Sequence, residues 1–235
     1  MQDEVTKHTK KIYKSVKDKE HSFAEKAKET IVEICIIVFA VTLSIWLHSW
    51  SEDRHEHKVA IAFLKGLKKD LSEDVKQLNN NRKLTSLLDS NFIFLESLKG
   101  NAVSDTTVER NIRKRLFYSL CVTRPNIGRY EGFKSSGKIE TIENDILKQD
   151  MLIYFQQTIP DLQFGENYTN SLQLKMLDLD FDRGDKQTKY AFVTSTKMNS
   201  MFGLGIHNFE VNIRGYDKAL SQAKKIIAEI DEETK

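Results

Sequence analysis

The sequence predicts an all-α protein: a single transmembrane helix near the N-terminus, a long amphipathic helix after it, and an extracytoplasmic bundle of about five helices. Three observations predict this class. An uncharged apolar run fills residues 34–50, apolar residues beyond it recur at three-, four- and seven-residue steps, and Pro125 and Pro160 are the only prolines in stretches rich in Lys, Glu, Leu and Ile. The implied organisation is a lysine-rich cytoplasmic arm (1–30), a signal anchor (31–50) and a helical domain (51–235) long enough for one hydrophobic core.

With Ile31 and Val32 the apolar run reaches about twenty residues, which as a helix spans roughly 30 Å, the thickness of a bilayer's hydrocarbon core. Glu33, next to Ile34, is the one charge in it and sits near an end, within reach of the head groups or of a partner. Trp46 and Trp50 mark the other end, where indoles favour the interface. A buried core helix of a soluble domain is usually amphipathic, whereas this run is apolar all round. A cleaved signal peptide needs a shorter apolar region and a small-residue cleavage site, so an uncleaved anchor fits better. Eight lysines (Lys7, Lys10, Lys11, Lys14, Lys17, Lys19, Lys26, Lys28) precede the span, but Arg54, Lys58, Lys65, Lys68, Lys69 and Lys76 follow closely. The excess places the N-terminus in the cytoplasm and the C-terminal domain in the periplasm, with the anchor in the inner membrane.

After the anchor, Val59, Phe63, Leu64, Leu67, Leu71, Val75 and Leu78 lie on one face, continued by Leu84, Leu87, Leu88, Phe92, Leu95 and Leu98 up to Gly100. The stripe is wider than a strict coiled-coil seam, so it reads as one arm of a bundle rather than a coiled-coil dimer, with a break expected at Asn79-Asn80-Asn81. A second helix is expected over Thr107–Thr123, ended by Pro125. Asn144 is the expected N-cap of a helix carrying Leu147, Met151, Tyr154 and Phe155 that stops before Pro160. Further helices are expected over Leu162–Leu179 and from Phe209 through Ile230, with a polar loop over Phe181–Lys189.

Thirty per cent charged residues and a net charge of +2 provide no strong field for nucleic acid, so no nucleic-acid partner is expected. Cys35 in the apolar run and Cys121 far beyond it are poorly placed to pair. His48, Glu52 and His55, at steps of four and three, share a helical face and form a weak zinc candidate, with His57 close by; polar residues are expected at a membrane border in any case, and no metal is assigned. The segment Tyr130-Glu-Gly-Phe-Lys-Ser-Ser-Gly137 is a turn motif. Arg124, Arg129 and Lys134 flank it and suit an anionic group, while the more ordinary role is conformational: Gly137 supplies a left-handed angle, Ser135 and Ser136 satisfy backbone groups, and Tyr130 and Phe133 pack inward. Gly203-Leu-Gly205 is too short for a phosphate loop, and neither a Gly-x-Ser-x-Gly elbow nor a Cys-x-x-Cys pair occurs. The acid pairs Asp178/Asp180 and Asp182/Asp185 lack EF-hand order. No catalytic residue and no cofactor are assigned.

The chain resembles a family of single-pass membrane proteins of unknown function found mainly in Bacteroidota, domain-of-unknown-function family 6090. The resemblance rests on Glu33-Ile34 opening the span, Trp50-Ser51-Glu52 closing it, Phe63-Leu-Lys-Gly-Leu-Lys-Lys-Asp-Leu71, and Tyr130–Gly137 followed by Ile139, Ile142 and Asn144. It covers residues 23–155; where the family pattern has asparagines before the tryptophan, this chain has Leu47-His48-Ser49. It implies an inner-membrane anchor and an extracytoplasmic helical domain, and no activity. The functional expectation is a non-enzymatic scaffold or protein-binding module whose partners are the bilayer and either another envelope protein or a second copy. The alternative is a small-ligand sensor signalling through the anchor.

Overall fold

The computed structural model describes residues 23–100, 105–184 and 187–235; residues 1–22 of the lysine-rich arm lie outside them. The described chain is helical, without a strand. It comprises α1 (Phe23–Ser97), α2 (Thr106–Arg115), α3 (Gly128–Ser135), a 3-10 turn (Lys138–Thr141), α4 (Asp145–Ile153), a π-helical turn (Tyr154–Thr158), α5 (Ile159–Arg183), α6 (Lys189–Val193) and α7 (Thr196–Glu233). It divides into two units, residues 1–56 and 57–235.

In the first unit, every residue from Ile31 to Trp50 is helical and exposed. Among the described residues α1 alone is long and apolar enough to cross a membrane, and none of its apolar window is buried. Thr42 and Ser44 return their hydroxyls to carbonyls one turn back, 2.9 Å to Val38 O and 2.8 Å to Ala40 O, so these two polar side chains have internal partners on an apolar helix.

In the second unit, most of the expected stripe on α1 is the core-facing edge: Leu64, Leu67, Leu71, Leu78, Leu88, Phe92 and Leu95 are almost completely buried, whereas Leu87, expected among them, is exposed. No break occurs at the asparagine triplet. Asn79 turns its amide back to Val75 O (2.8 Å) and Asn81 points its amide at Thr123 Oγ1 (3.3 Å), so both side chains are occupied without interrupting the helix. The N-cap expected at Asn144 is present, accepting from Leu147 N at 3.1 Å. Ser195 caps α7, which begins earlier than expected and contains Gly203 and Gly205.

Two further expectations fail for identifiable reasons. The helix expected over Thr107–Thr123 covers only Thr106–Arg115; from Leu116 to Ile127 the chain lies outside any helix, because side chains of α5 and α1 capture its main-chain groups. The helix expected to stop before Pro160 instead runs on. Pro160 has no N–H and its ring crowds the carbonyl four residues back, and the chain accommodates it by widening into a π-turn and continuing as α5.

The core consists of two apolar clusters. One gathers Leu64, Leu67, Leu71, Tyr130, Met151, Phe155, Ile159, Ala223 and Ile226, among others. The other gathers Leu88, Phe92, Leu95, Ile112, Met176, Phe192, Phe202 and Phe209. Gly205 lets α7 approach α1 in the second cluster, because a Cβ there would fall 2.7 Å from the Phe92 ring. Phe92 is packed edge-on against Phe202 and Phe209, at 5.1 and 5.0 Å, and has little room to withdraw. Gly205→Ala is therefore expected to destabilise the second unit by about 1–3 kcal/mol through overpacking, measured by denaturant unfolding.

Candidate functional site

Between the two apolar clusters lies a polar layer. On α1 it falls between Leu78 and Leu88 and contains Asn81 and Thr85; on α5, between Leu162 and Leu172, it contains Glu166, Thr169 and Asn170; on α7 it contains Asn212. Its centre is Glu166, 2% exposed. One carboxylate oxygen accepts from Thr123 Oγ1 at 2.6 Å and from the Tyr216 hydroxyl, and the other accepts from Thr123 N at 2.7 Å. Burial and the bond to Glu166 hold the Tyr216 phenol above its ordinary pKa. Asn212 donates to Thr169 Oγ1 at 2.9 Å, and α7 fits this closely because residue 165 is glycine: a Cβ there would lie 2.3 Å from Asn212 Oδ1.

The non-helical segment from Leu116 to Ile127 crosses this layer as a strap. Its main chain is read by amide and acid side chains of α5. Gln173 accepts from Ser119 N and donates to Ser119 O (3.1 and 2.7 Å), Asn170 does the same at Cys121 (3.1 and 2.7 Å), and Gln163 donates to Thr123 O (2.9 Å). These residues follow steps of three, four and three along one helix edge. From Glu166 to Gln173 the helix rises about 10 Å, and extended chain from residue 119 to 123 covers about 13 Å, so the two ladders run antiparallel nearly in register. On the α1 side, Gln77 accepts from Arg124 N (2.9 Å) and Asp74 from Asn126 N and Nδ2 (3.0 and 2.7 Å). Leu120 and Val122 are exposed, while Cys121 and Thr123 are buried. Burial pushes the Cys121 thiol pKa up, and its Sγ lies 3.3 Å from Thr85 Oγ1, so this cysteine is packed rather than poised for reaction. Cys35, in the other unit, is a free, exposed thiol.

The turn motif docks on α1. Arg129 donates from Nε to Asp70 Oδ2 at 2.7 Å, and its guanidinium lies where a side chain at Gly66 would otherwise be. Phe133 stacks flat on Phe63, with centroids 3.8 Å apart, and Tyr130 stacks on Phe155 at 4.3 Å while accepting from Gln156 Nε2 at 2.8 Å. Ser135 and Ser136 return their hydroxyls to Glu131 O and Phe133 O (2.6 and 2.8 Å), and Gly137 has φ 73°. Arg124 is exposed. At the border of the apolar run, His48 and Glu52 stand 3.9 Å apart and exposed, and Arg54 lies over the Trp50 ring at 4.9 Å; among the described residues no group of three His, Cys, Asp or Glu could hold a metal ion. Glu33, Ile34, Trp46 and Trp50 are all exposed on α1.

Sequence reasoning missed the ladder. The signal was present in Gln163, Glu166, Asn170 and Gln173, which place polar groups at helical spacing on an edge that borders Leu162 and Leu172. Such spacing on a single helix reads equally as a solvated face.

Two outcomes are expected from this geometry. Removing the buried carboxylate in Glu166→Ala leaves Thr123 and Tyr216 without an acceptor, and costs on the order of 3 kcal/mol or more in denaturant unfolding; Glu166→Gln costs less, about 1–3 kcal/mol, because its amide places a donor against donors. The second concerns Asp89 on α1, whose pKa is raised first by burial and then by the charge of Glu210 on α7, and whose Oδ1 has no partner among the described residues. A raised carboxylate pKa destabilises the folded state above the ordinary value, and the penalty is relieved as pH falls toward about 4. Asp89→Asn is therefore expected to raise Tm at pH 7, with the gain disappearing near pH 4.

No curated protein and no solved structure matches the chain. A family model described as Family of unknown function (DUF6090) matches residues 33–203, which include the apolar run, the docked turn motif, the strap and its ladder. The chain belongs to this family.

Proposed function

We propose that this protein is a membrane-anchored, non-enzymatic module that holds a helical domain in the cell envelope to bind a partner protein. One observation carries the reading: residues 31–50 of α1 are apolar in nearly every position and all exposed, a surface that water penalises and hydrocarbon accepts. Trp46 and Trp50 fit one interface and Glu33 the other. The excess of lysine before the run supports a cytoplasmic N-terminus, with the domain on the far side of the inner membrane. Binding of a partner is supported by exposed apolar side chains on the second unit, namely Leu120 and Val122 on the strap and Phe164, Tyr168 and Phe181 on α5, of which Phe164 and Phe181 are 77% and 84% exposed.

Two measurements test the two halves of this reading. The full chain is expected to remain with membranes through alkaline carbonate extraction. The double variant Val38→Arg, Val41→Arg, which places two charges mid-span at about 2.5–3.5 kcal/mol each, is expected to lose that retention; release of the unaltered chain would overturn the anchor. Cross-linking in intact cells, followed by purification of the tagged chain in mild detergent, is expected to recover a stoichiometric second protein. Recovery of this chain alone would rule out the partner reading and favour a small-ligand sensor, recognised by a rise in thermal stability with the ligand.

A further inference from the structure

The π-helical turn Tyr154–Thr158 contains two polar groups that no protein atom satisfies. Its Tyr154 Oη and Thr158 Oγ1 are buried, with the residues 0% and 2% exposed, and neither has a hydrogen-bond partner among the described residues. A threonine in an α-helix ordinarily returns its hydroxyl to a carbonyl one turn back, as Thr85 and Thr169 do here at 2.9 and 3.0 Å; in the widened turn Thr158 does not. Ile159 N–H reaches back five residues to Tyr154 O, and Pro160 has no N–H to continue the ladder. A third polar group is near: the charge of Asp74 acts on the Tyr154 phenol, which is held above its ordinary pKa mainly by burial. Asp74 Oδ1 accepts two bonds from Asn126, whereas Oδ2 has a single long contact at 3.3 Å.

Two buried hydroxyls on one turn, with a carboxylate whose charge reaches one of them, offer donors and acceptors to a small guest. Met151, Phe155 and Ile159 around them are buried and apolar, which excludes a hydrated ion or a larger polar ligand. We propose that the π-turn binds one internal water, which accepts from the Tyr154 hydroxyl and bridges it to Thr158 Oγ1. This water is a structural component of the bundle: it satisfies groups that the proline-induced widening of the helix leaves without partners.

The test uses the full chain in mild detergent and follows thermal unfolding of Tyr154→Phe, Thr158→Val and the double variant by circular dichroism. Both substitutions nearly preserve shape: Tyr154→Phe removes a hydroxyl, and Thr158→Val replaces one with a methyl group. If the hydroxyls hold a shared water, each single variant lowers Tm by a few degrees and the double variant falls scarcely further, because the first substitution already releases the guest. If the hydroxyls are unsatisfied, removing either leaves Tm unchanged or raises it, which overturns the proposal. Losses that simply add in the double variant report two independent packing defects, and overturn it equally.

Discussion

The second unit depends on how a length of chain without secondary structure is accommodated inside a helical bundle. Residues 117–126, between the helix ends, have no helical turn to absorb their N–H and C=O groups and no neighbouring strand to pair with, yet Cys121 and Thr123 are buried. Main-chain groups in that position must find partners or cost several kcal/mol. The side chains of Gln163, Glu166, Asn170 and Gln173 on α5, with Gln77 and Asp74 on α1, meet that demand. Much of the rest follows from this arrangement. A polar layer separates the two apolar clusters, Tyr216 and Asn212 on α7 are committed to it, and residue 165 is glycine so that α7 can lie close.

A second constraint acts through the residues that carry the family resemblance. Phe63, Gly66 and Asp70 are on one face of α1, and Arg129, Tyr130 and Phe133 are on α3, far away in sequence. Folding brings them into one contact: ring on ring for Phe63 and Phe133, guanidinium over Gly66, and the Arg129–Asp70 ion pair at 2.7 Å. That ion pair is partly exposed and contributes modestly by itself. The stacked rings and the close fit over Gly66 supply specificity, because only a residue without Cβ leaves room for Arg129. The turn motif is thus occupied with docking: its arginine is paired and both of its serine hydroxyls are bonded to its own backbone.

The apolar run and the ladder illustrate opposite uses of a helix surface. From Ile31 to Trp50 the side chains are apolar in nearly every position and none is buried, whereas α5 carries polar side chains on an inward edge, where each is spent on a main-chain partner. Burial and polarity are therefore inverted relative to an ordinary soluble bundle at both places. On α5 the explanation is the main chain packed against the helix rather than its intrinsic propensity.

By itself the sequence determined whatever depends on local spacing: the all-helical class, the apolar run, the buried stripe of Leu64, Leu67, Leu71, Leu78 and Leu88, and the Asn144 cap, because helical periodicity and capping operate within a few residues. The tertiary structure alone decided where long-range partners override local preference. Val108, Ile112 and Leu116 have helical spacing, but the chain leaves the helix at Arg115 because the groups that satisfy the extended alternative lie on a helix more than forty residues away. Pro160 reads locally as a stop; packing of Tyr154, Phe155 and Ile159 into the core favours continuing through a π-turn instead. Glu166 is indistinguishable in sequence from any surface acid. Only the meeting of α5 with the strap and α7 makes it the buried acceptor on which the layer closes, since three donors from two separate segments must converge before a carboxylate is worth burying.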